Sequence, residues 1–431
     1  MKTNIYIISI LTLLLISFNS CEDKITEEYL QLDPVYMSFS EIRSNDAIRF
    51  ENNLQLKNTG KIYLKGQYIF INEVFKGVHV YDNANPENPS YIGFIRIPGN
   101  MDIAIKDNYL FADSFVDVVV LDISTINSPQ LVKRIENVYD YRIPPYDEKY
   151  RLGKIDPVNG MIIDWEITKV RKEVDTPDYT YYPIYWGAKY LDANFTTSGG
   201  PSTNVNTETG SSYGVSGSMA RFGLLDNTLY SIDEHRLFVF DISDATQTEM
   251  KTSDYLTWGM ETLFITNEHL FLGTMNGMHI YSVEDRFKPE FISNFAHVTS
   301  CDPVVVQGDY AYVTLRGGTT CGGDLNQLDV VNVSNYAQPF LAKSYDMVGP
   351  YGLGIDDELL FVCDGDAGLK VYDVTLPLAI DQHQLAHFPG INAYDVIPLG
   401  ESLLMIGKDG LYQYDYSNIQ DIKQISVIST K

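Results

Sequence analysis

The stretch "GVHVYDNANPENP" (77–89) runs through strand-forming residues to an Asp, then meets two prolines three positions apart. Nearly the same phrase returns at "VVVLDISTINSP" (118–129), "LFVFDIS" (237–243) and "GLKVYDVTLP" (368–377). β-branched and aromatic side chains suit a pleated surface. A polar, proline-containing link cannot continue a central strand. Each phrase therefore reads as a strand closed by a turn, and its recurrence implies a repeating architecture.

With the Asp of "VYD" as marker, Asp82, Asp122, Asp241, Ser282, Asn332, Asp373 and Asp415 fall in line, at spacings of 40, 119, 41, 50, 41 and 42 residues. The longest spacing is one repeat plus an insertion over 139–218. The spacing of 50 is one repeat with an expanded hairpin, "RGGTTCGGDLNQ" (316–327). Within a unit four strands follow one another, as in "DIAIKDN" (102–108), "YLFADS" (109–114), "DVVVLDIS" (117–124) and "QLVKRIE" (130–136). Lys76-Gly77, Asn276-Gly277, Ala367-Gly368 and Asp409-Gly410 mark tight hairpins, where glycine supplies the positive φ. A four-stranded sheet cannot bury both faces alone, whereas sheets packed radially cover each other. The expected fold is all-β: a seven-bladed β-propeller of four-stranded antiparallel blades, with the long insertion between blades 2 and 3. A β-sandwich array is the alternative. The propeller domain spans 46–431, and 46–57 are expected to pair with the last blade.

Composition narrows the partners. Among 431 residues, 57 Asp and Glu stand against 31 Lys and Arg, a formal net charge of −26. No basic run could neutralise phosphates, so nucleic acid is not an expected partner. The same field repels anionic lipid and favours neutral or cationic ligands, although acidic surfaces commonly serve only solubility.

Lys2 precedes an apolar run over 5–18, too short for a spanning helix, which needs ~20 residues. It ends in "LLISFNSC". This is similar to a bacterial lipoprotein signal, which implies a signal peptide over 1–20 and a lipidated Cys21. Asn19 and Phe18 depart from the strictest pattern. An ordinary signal peptide with a chance cysteine is the alternative. Residues 21–45 read as an acidic tether, and Glu22 and Asp23 resemble the surface-export signal of Bacteroidetes lipoproteins. The expected location is the outer membrane, at the cell surface, with the lipid as the only membrane contact.

The repeated strands, together with "GSMARF" (217–222), "TSCDPVVV" (299–306), "NQLDVVNVS" (326–334) and "LLFVCDGDAGLKVYD" (359–373), resemble the LVIVD repeat of bacterial surface proteins, above all the Bacteroidetes lipoproteins that carry it. The resemblance spans nearly all of 58–431 and implies a propeller in the cell envelope. It carries over no catalytic residue.

In a propeller, the starts of the inner strands, the links into them and the hairpins between second and third strands share one face. The insertion, the long hairpin and a partial ring of Asp102, Arg221, Glu261, Asp302 and Asp395 converge there. Such carboxylates can bind a hard cation or a sugar, or they can accept backbone N–H groups at strand starts. In the insertion, "DYTYYPIYWGAKY" (178–190) offers Tyr181, Tyr182, Tyr185 and Trp186 for stacking on a ligand, or for packing down as a lid. Cys301 and Cys321 are expected to form a disulfide, with Cys363 as a buried thiol or a competing partner. The seven histidines show no zinc spacing, and "DGDAG" (364–368) reads as a turn rather than a calcium loop. No metal, cofactor or catalytic residue is assigned. The expected function is a monomeric binding module for a protein or glycan on the insertion-bearing face. The alternative is a carbohydrate-active or other hydrolytic propeller using channel-mouth carboxylates among Asp102, Asp302 and Asp395, of which Asp102 and Asp302 are one pair that hydrolysis could use.

Overall fold

The computed structural model describes residues 25–57, 59–144, 146–174, 215–216, 220–297, 303–317 and 325–430. Among them lie six four-stranded antiparallel sheets, a six-stranded sheet and a three-stranded sheet. The middle four strands of the six-stranded sheet repeat the up-and-down order of the others. In chain order the repeating sheets cover 62–96, 103–135, 222–255, 260–296, 304–346, 353–388 and 393–429, and they are called here the first to the seventh.

The recurring acid has a local purpose. Asp82, Asp122, Asp241, Asp373 and Asp415 each accept the N–H two residues on, at 2.8–3.0 Å. Asn332 and Ser282 make the same turn at 3.2 and 3.3 Å. A short side-chain acceptor here closes an Asx-type turn and stops the third strand.

The hairpin glycines answer a second constraint. Gly77, Gly277, Gly368 and Gly410 all have positive φ, and a Cβ on any of them would sit 2.0–2.2 Å from a carbonyl oxygen of the fourth strand. The second sheet carries Asp117 at that position instead, with negligible exposure. Asp117 is held by Arg43, Arg134 and the N–H of Asn137.

Apolar clusters fill the space between neighbours. One joins the first three sheets, another the third and fourth, and others the fourth to sixth and the sixth and seventh. A further cluster sets Ile62, Ile69 and Ile71 of the first sheet against Ile397, Leu404 and Ile406 of the seventh. Polar bonds cross the same seam: Gln413 Nε2 donates to Asn83 Oδ1 at 2.8 Å, and Thr59 Oγ1 to the Gly407 carbonyl at 3.0 Å.

Two segments depart from expectation. Residues 25–37, given above to an acidic tether, form a strand antiparallel to Met161–Val174 and parallel to Arg151–Leu152. The reason is charge complementarity. Glu27 pairs with Arg151 at 2.7 Å, Glu28 pairs with Lys169, and Arg151 stacks 4.1 Å from the Tyr29 ring. The second departure concerns 46–57. Arg49–Glu51 adds to the outer strand of the first sheet, not to the last blade. The inner edge of the first sheet gains Val215–Ser216, the returning end of the insertion.

Candidate functional site

In an antiparallel four-stranded sheet, the hairpin between second and third strands lies at the opposite end from the hairpin between first and second. The small sheet docks at the former end. Ile42, on a one-turn helix (Phe39–Ile42) capped by Ser38 and Glu41, packs with Met161 onto Val116 of the second sheet's hairpin. Arg43 reaches Asp117 beside it through two bonds of 2.8 and 2.9 Å. Beyond it, Tyr139 inserts against Phe238 and bonds Ser231 in the third sheet. The leading part of the insertion therefore crowds the hairpins of the second and third sheets, while its returning end, Val215–Ser216, lies along the first.

The inner-strand starts meet at this end as well. Asp102 is 2% exposed. Its Oδ2 accepts the N–H groups of Arg221 and Phe222 at 2.7 and 3.0 Å and lies 2.9 Å from Lys61 Nζ, while Oδ1 accepts the Ile103 N–H. One carboxylate thus joins the inner strands of three sheets. Asp113 lies just behind, accepting the N–H of Met101 and Asp102 and the side-chain amide of Asn100. Burial pushes the Asp113 carboxyl up, against the downward pull of those backbone donors. Burial lowers the Lys61 ammonium, with Asp102 opposing. Arg221 is lowered by burial and then by Arg142, while Glu234, Glu261 and Asp233 oppose.

Of the expected ring, then, Asp102 and Arg221 are brought together, and Glu261 lies within electrostatic reach of Arg221. Asp395 is also buried, but it accepts the Val396 N–H and faces Gly352 of the sixth sheet. It therefore belongs to another seam. Asp302, Tyr181, Tyr182, Tyr185, Trp186, Cys21, Cys301 and Cys321 lie outside the described residues. Cys363 is a buried free thiol, pushed well up by burial and by Asp395 and Asp364. Asp364 accepts the N–H of Val348 and Gly349 and pairs with Lys370 at 2.6 Å. It fastens a turn.

Sequence reasoning missed a second centre at the third sheet's hairpin. Buried Asp233 accepts the N–H groups of His235 and Arg236 at 2.9 and 2.7 Å, which fixes the turn. His235 Nε2 and Arg236 then converge on Asp140, at 3.1 and 2.7 Å. Ligand atoms of Asp140, Asp233 and His235 lie within 4.8 Å of one another, a spacing a metal ion would accept. The Arg236 guanidinium, however, already contacts both carboxylates. With Arg236 on an oxygen of each carboxylate and His235 on Asp140, the cluster reads as an ion-paired network. Tyr255 and Trp258 flank the His235 ring at centroid distances of 5.4 and 5.6 Å, and both are more than half exposed. Trp258, one of three tryptophans and next to Gly259, was the available signal.

At the other end of the sheets a groove of about 570 Å³ opens between the first and second, lined by Lys65, Tyr68, Phe70, Ile92, Asp107 and Ile126. It lies at the end opposite Val116 and Tyr139, although Val215 of the insertion's returning end pairs with Leu64, next to the groove-lining Lys65.

The sheet order is that of a β-propeller-like, all-β fold, and solved structures agree. The chain is similar to the computationally designed Ika8 protein, with a TM-score of 0.50, 10% identity, and coverage of 88% of this chain and 91% of that one. It is similar also to Sqt1 of Saccharomyces cerevisiae, with a TM-score of 0.50, 7% identity, and coverage of 90% and 89%. At the level of sequence, residues 99–137 and 300–347 match the model of the LVIVD repeat family. No curated protein matches the chain.

Proposed function

We propose that the chain is a seven-bladed propeller that acts as a non-enzymatic binding module, tethered to the cell envelope through Cys21 and engaging its ligand on the face of the second-to-third-strand hairpins. The packing of the seventh sheet on the first supports a closed ring. One observation carries the functional reading: the small sheet and the leading part of the insertion cluster at one end, over the second and third sheets, beside exposed aromatic rings. A rigid disc with one decorated face suits recognition. The carboxylate best placed for chemistry, Asp102, is occupied by backbone donors and Lys61, the arrangement of a strut rather than of a proton donor.

The test is to immobilise the full chain, solubilised in detergent, and to offer it a glycan array and an envelope protein extract. A deletion of 139–218 runs in parallel. Specific capture lost on deletion supports the reading; capture of nothing by the intact chain overturns it. Labelling cells with a radioactive fatty acid tests the anchor separately, since Cys21→Ser should abolish incorporation.

A further inference from the structure

We infer that Tyr255, His235 and Trp258, with Asp140 and Arg236, form a subsite for a neutral hexopyranose unit of a glycan. This rests on the reading of that face as ligand-binding and names its ligand class.

Three rings meet at one spot. Tyr255 is 60% exposed and Trp258 53%, and their planes lie at 42° and 38° to that of His235. Leaving two large aromatic surfaces in water forgoes the hydrophobic stabilisation that burying them would give. An exposed ring cluster of this kind marks an interaction site more often than chance. The cluster is also held rigidly. Asp233 fixes the hairpin, the Leu256 N–H donates to the His235 carbonyl at 2.9 Å, and Trp258 precedes Gly259, whose φ is +70°. Preorganisation of this sort cuts the entropic cost of binding.

The chemistry around the rings selects the occupant. The negative face of an aromatic ring attracts the weakly positive C–H groups that a pyranose presents on one side. The edge of the same sugar carries hydroxyls, each a donor and an acceptor. Asp140, with a side chain 57% exposed, has acceptor capacity beside its bonds to His235 and Arg236. Arg236 brings a planar donor fork, only partly exposed, to the same edge. A protein hot spot would call instead for a deep desolvated pocket around the aromatic anchor, and these rings lie in the open. The ligand is neutral because the Arg236 charge is already balanced by Asp140 and Asp233, and a net charge of −26 repels uronate or sulfate groups.

Affinity electrophoresis of the full chain in detergent tests this, with gels containing a neutral β-glucan, α-mannan or galactan, or polygalacturonate as the acidic counterpart. Retardation by at least one neutral polymer and none by polygalacturonate is expected. Trp258→Ala should weaken it at least tenfold, Tyr255→Ala less, and Trp258→Phe should restore most of it. Thermal unfolding should be unchanged, because the replaced rings are exposed. If the intact chain is retarded and the Trp258→Ala Tyr255→Ala double variant is retarded equally, the subsite is wrong while the face can still bind. If polygalacturonate retards the chain best, the neutral assignment is wrong. If no polysaccharide retards it but a deletion-sensitive protein partner is captured, the glycan class is wrong and the binding reading stands. If neither occurs, both fall.

Discussion

The carboxylate of Asp102 accepts the backbone N–H of Arg221 at 2.7 Å, across the whole length of the insertion. Residues separated by 119 positions in sequence are thereby locked at the start of adjacent inner strands, with Lys61, at the start of the first sheet, ion-paired to the same oxygen.

Asp102→Ala should therefore be among the most destabilising single changes at the inner-strand starts. It leaves three backbone donors unmet and a buried ammonium unpaired, at a cost of about 3–5 kcal/mol. Chemical denaturation should show a large fall in midpoint. A wild-type midpoint would refute the role of strut.

Asp113→Asn should behave differently. The folded Asp113 pKa is raised above its unfolded value, so the folded state binds more protons than the unfolded state between the two values. The wild type then loses stability as pH rises through that window. An Asn keeps an acceptor oxygen for Met101, Asp102 and Asn100 and removes the loss. The variant should gain on the wild type as pH rises from 4 towards neutrality. A parallel pair of stability curves would count against the buried, raised carboxyl.

At the hairpins, Gly277→Ala drives a Cβ to 2.2 Å from the Phe295 carbonyl oxygen, whereas Gly308→Ala meets nothing within 4 Å despite a φ of +57°. The second should cost only the left-handed backbone penalty of about 1–2 kcal/mol, and the first clearly more. Equal costs measured by denaturation would contradict the close approach of strands three and four.

Arg43 and Arg134 both converge on Asp117, and Arg43 fastens the chain that follows the small sheet. Asp117→Ala should expose 38–50 to limited proteolysis, because it leaves two guanidinium groups facing an apolar hairpin. An unchanged cleavage pattern would mean that the small sheet is held by other contacts.

The repeat was legible because its signals are local. The Asp turns need an acceptor two residues before a given N–H, and the hairpin glycines need space one strand away. The small sheet was not legible, since 25–37 holds three acids (Glu27, Glu28 and Asp33) and no clean apolar alternation, and its basic complement in Met161–Val174 lies more than a hundred residues on. Asp102 and Arg221 meet through the backbone, and a carboxylate whose partners are backbone N–H groups is announced by no residue type. Lys61 went unnoticed for the same reason: one lysine before a strand carries no pattern until Asp102 arrives. Asp140, His235 and Trp258 sit in a hairpin and two links, where proximity is decided by tertiary packing alone.

The central claim is that recognition belongs to the hairpin face bearing the small sheet and the insertion. The most direct measurement is ligand capture by two variants on the same array and extract: one lacking 139–218, the other with Tyr68→Ala and Ile92→Arg in the groove at the opposite end. Capture abolished in the first and intact in the second is the predicted result. Capture that survives the deletion and disappears with the groove substitutions would contradict it.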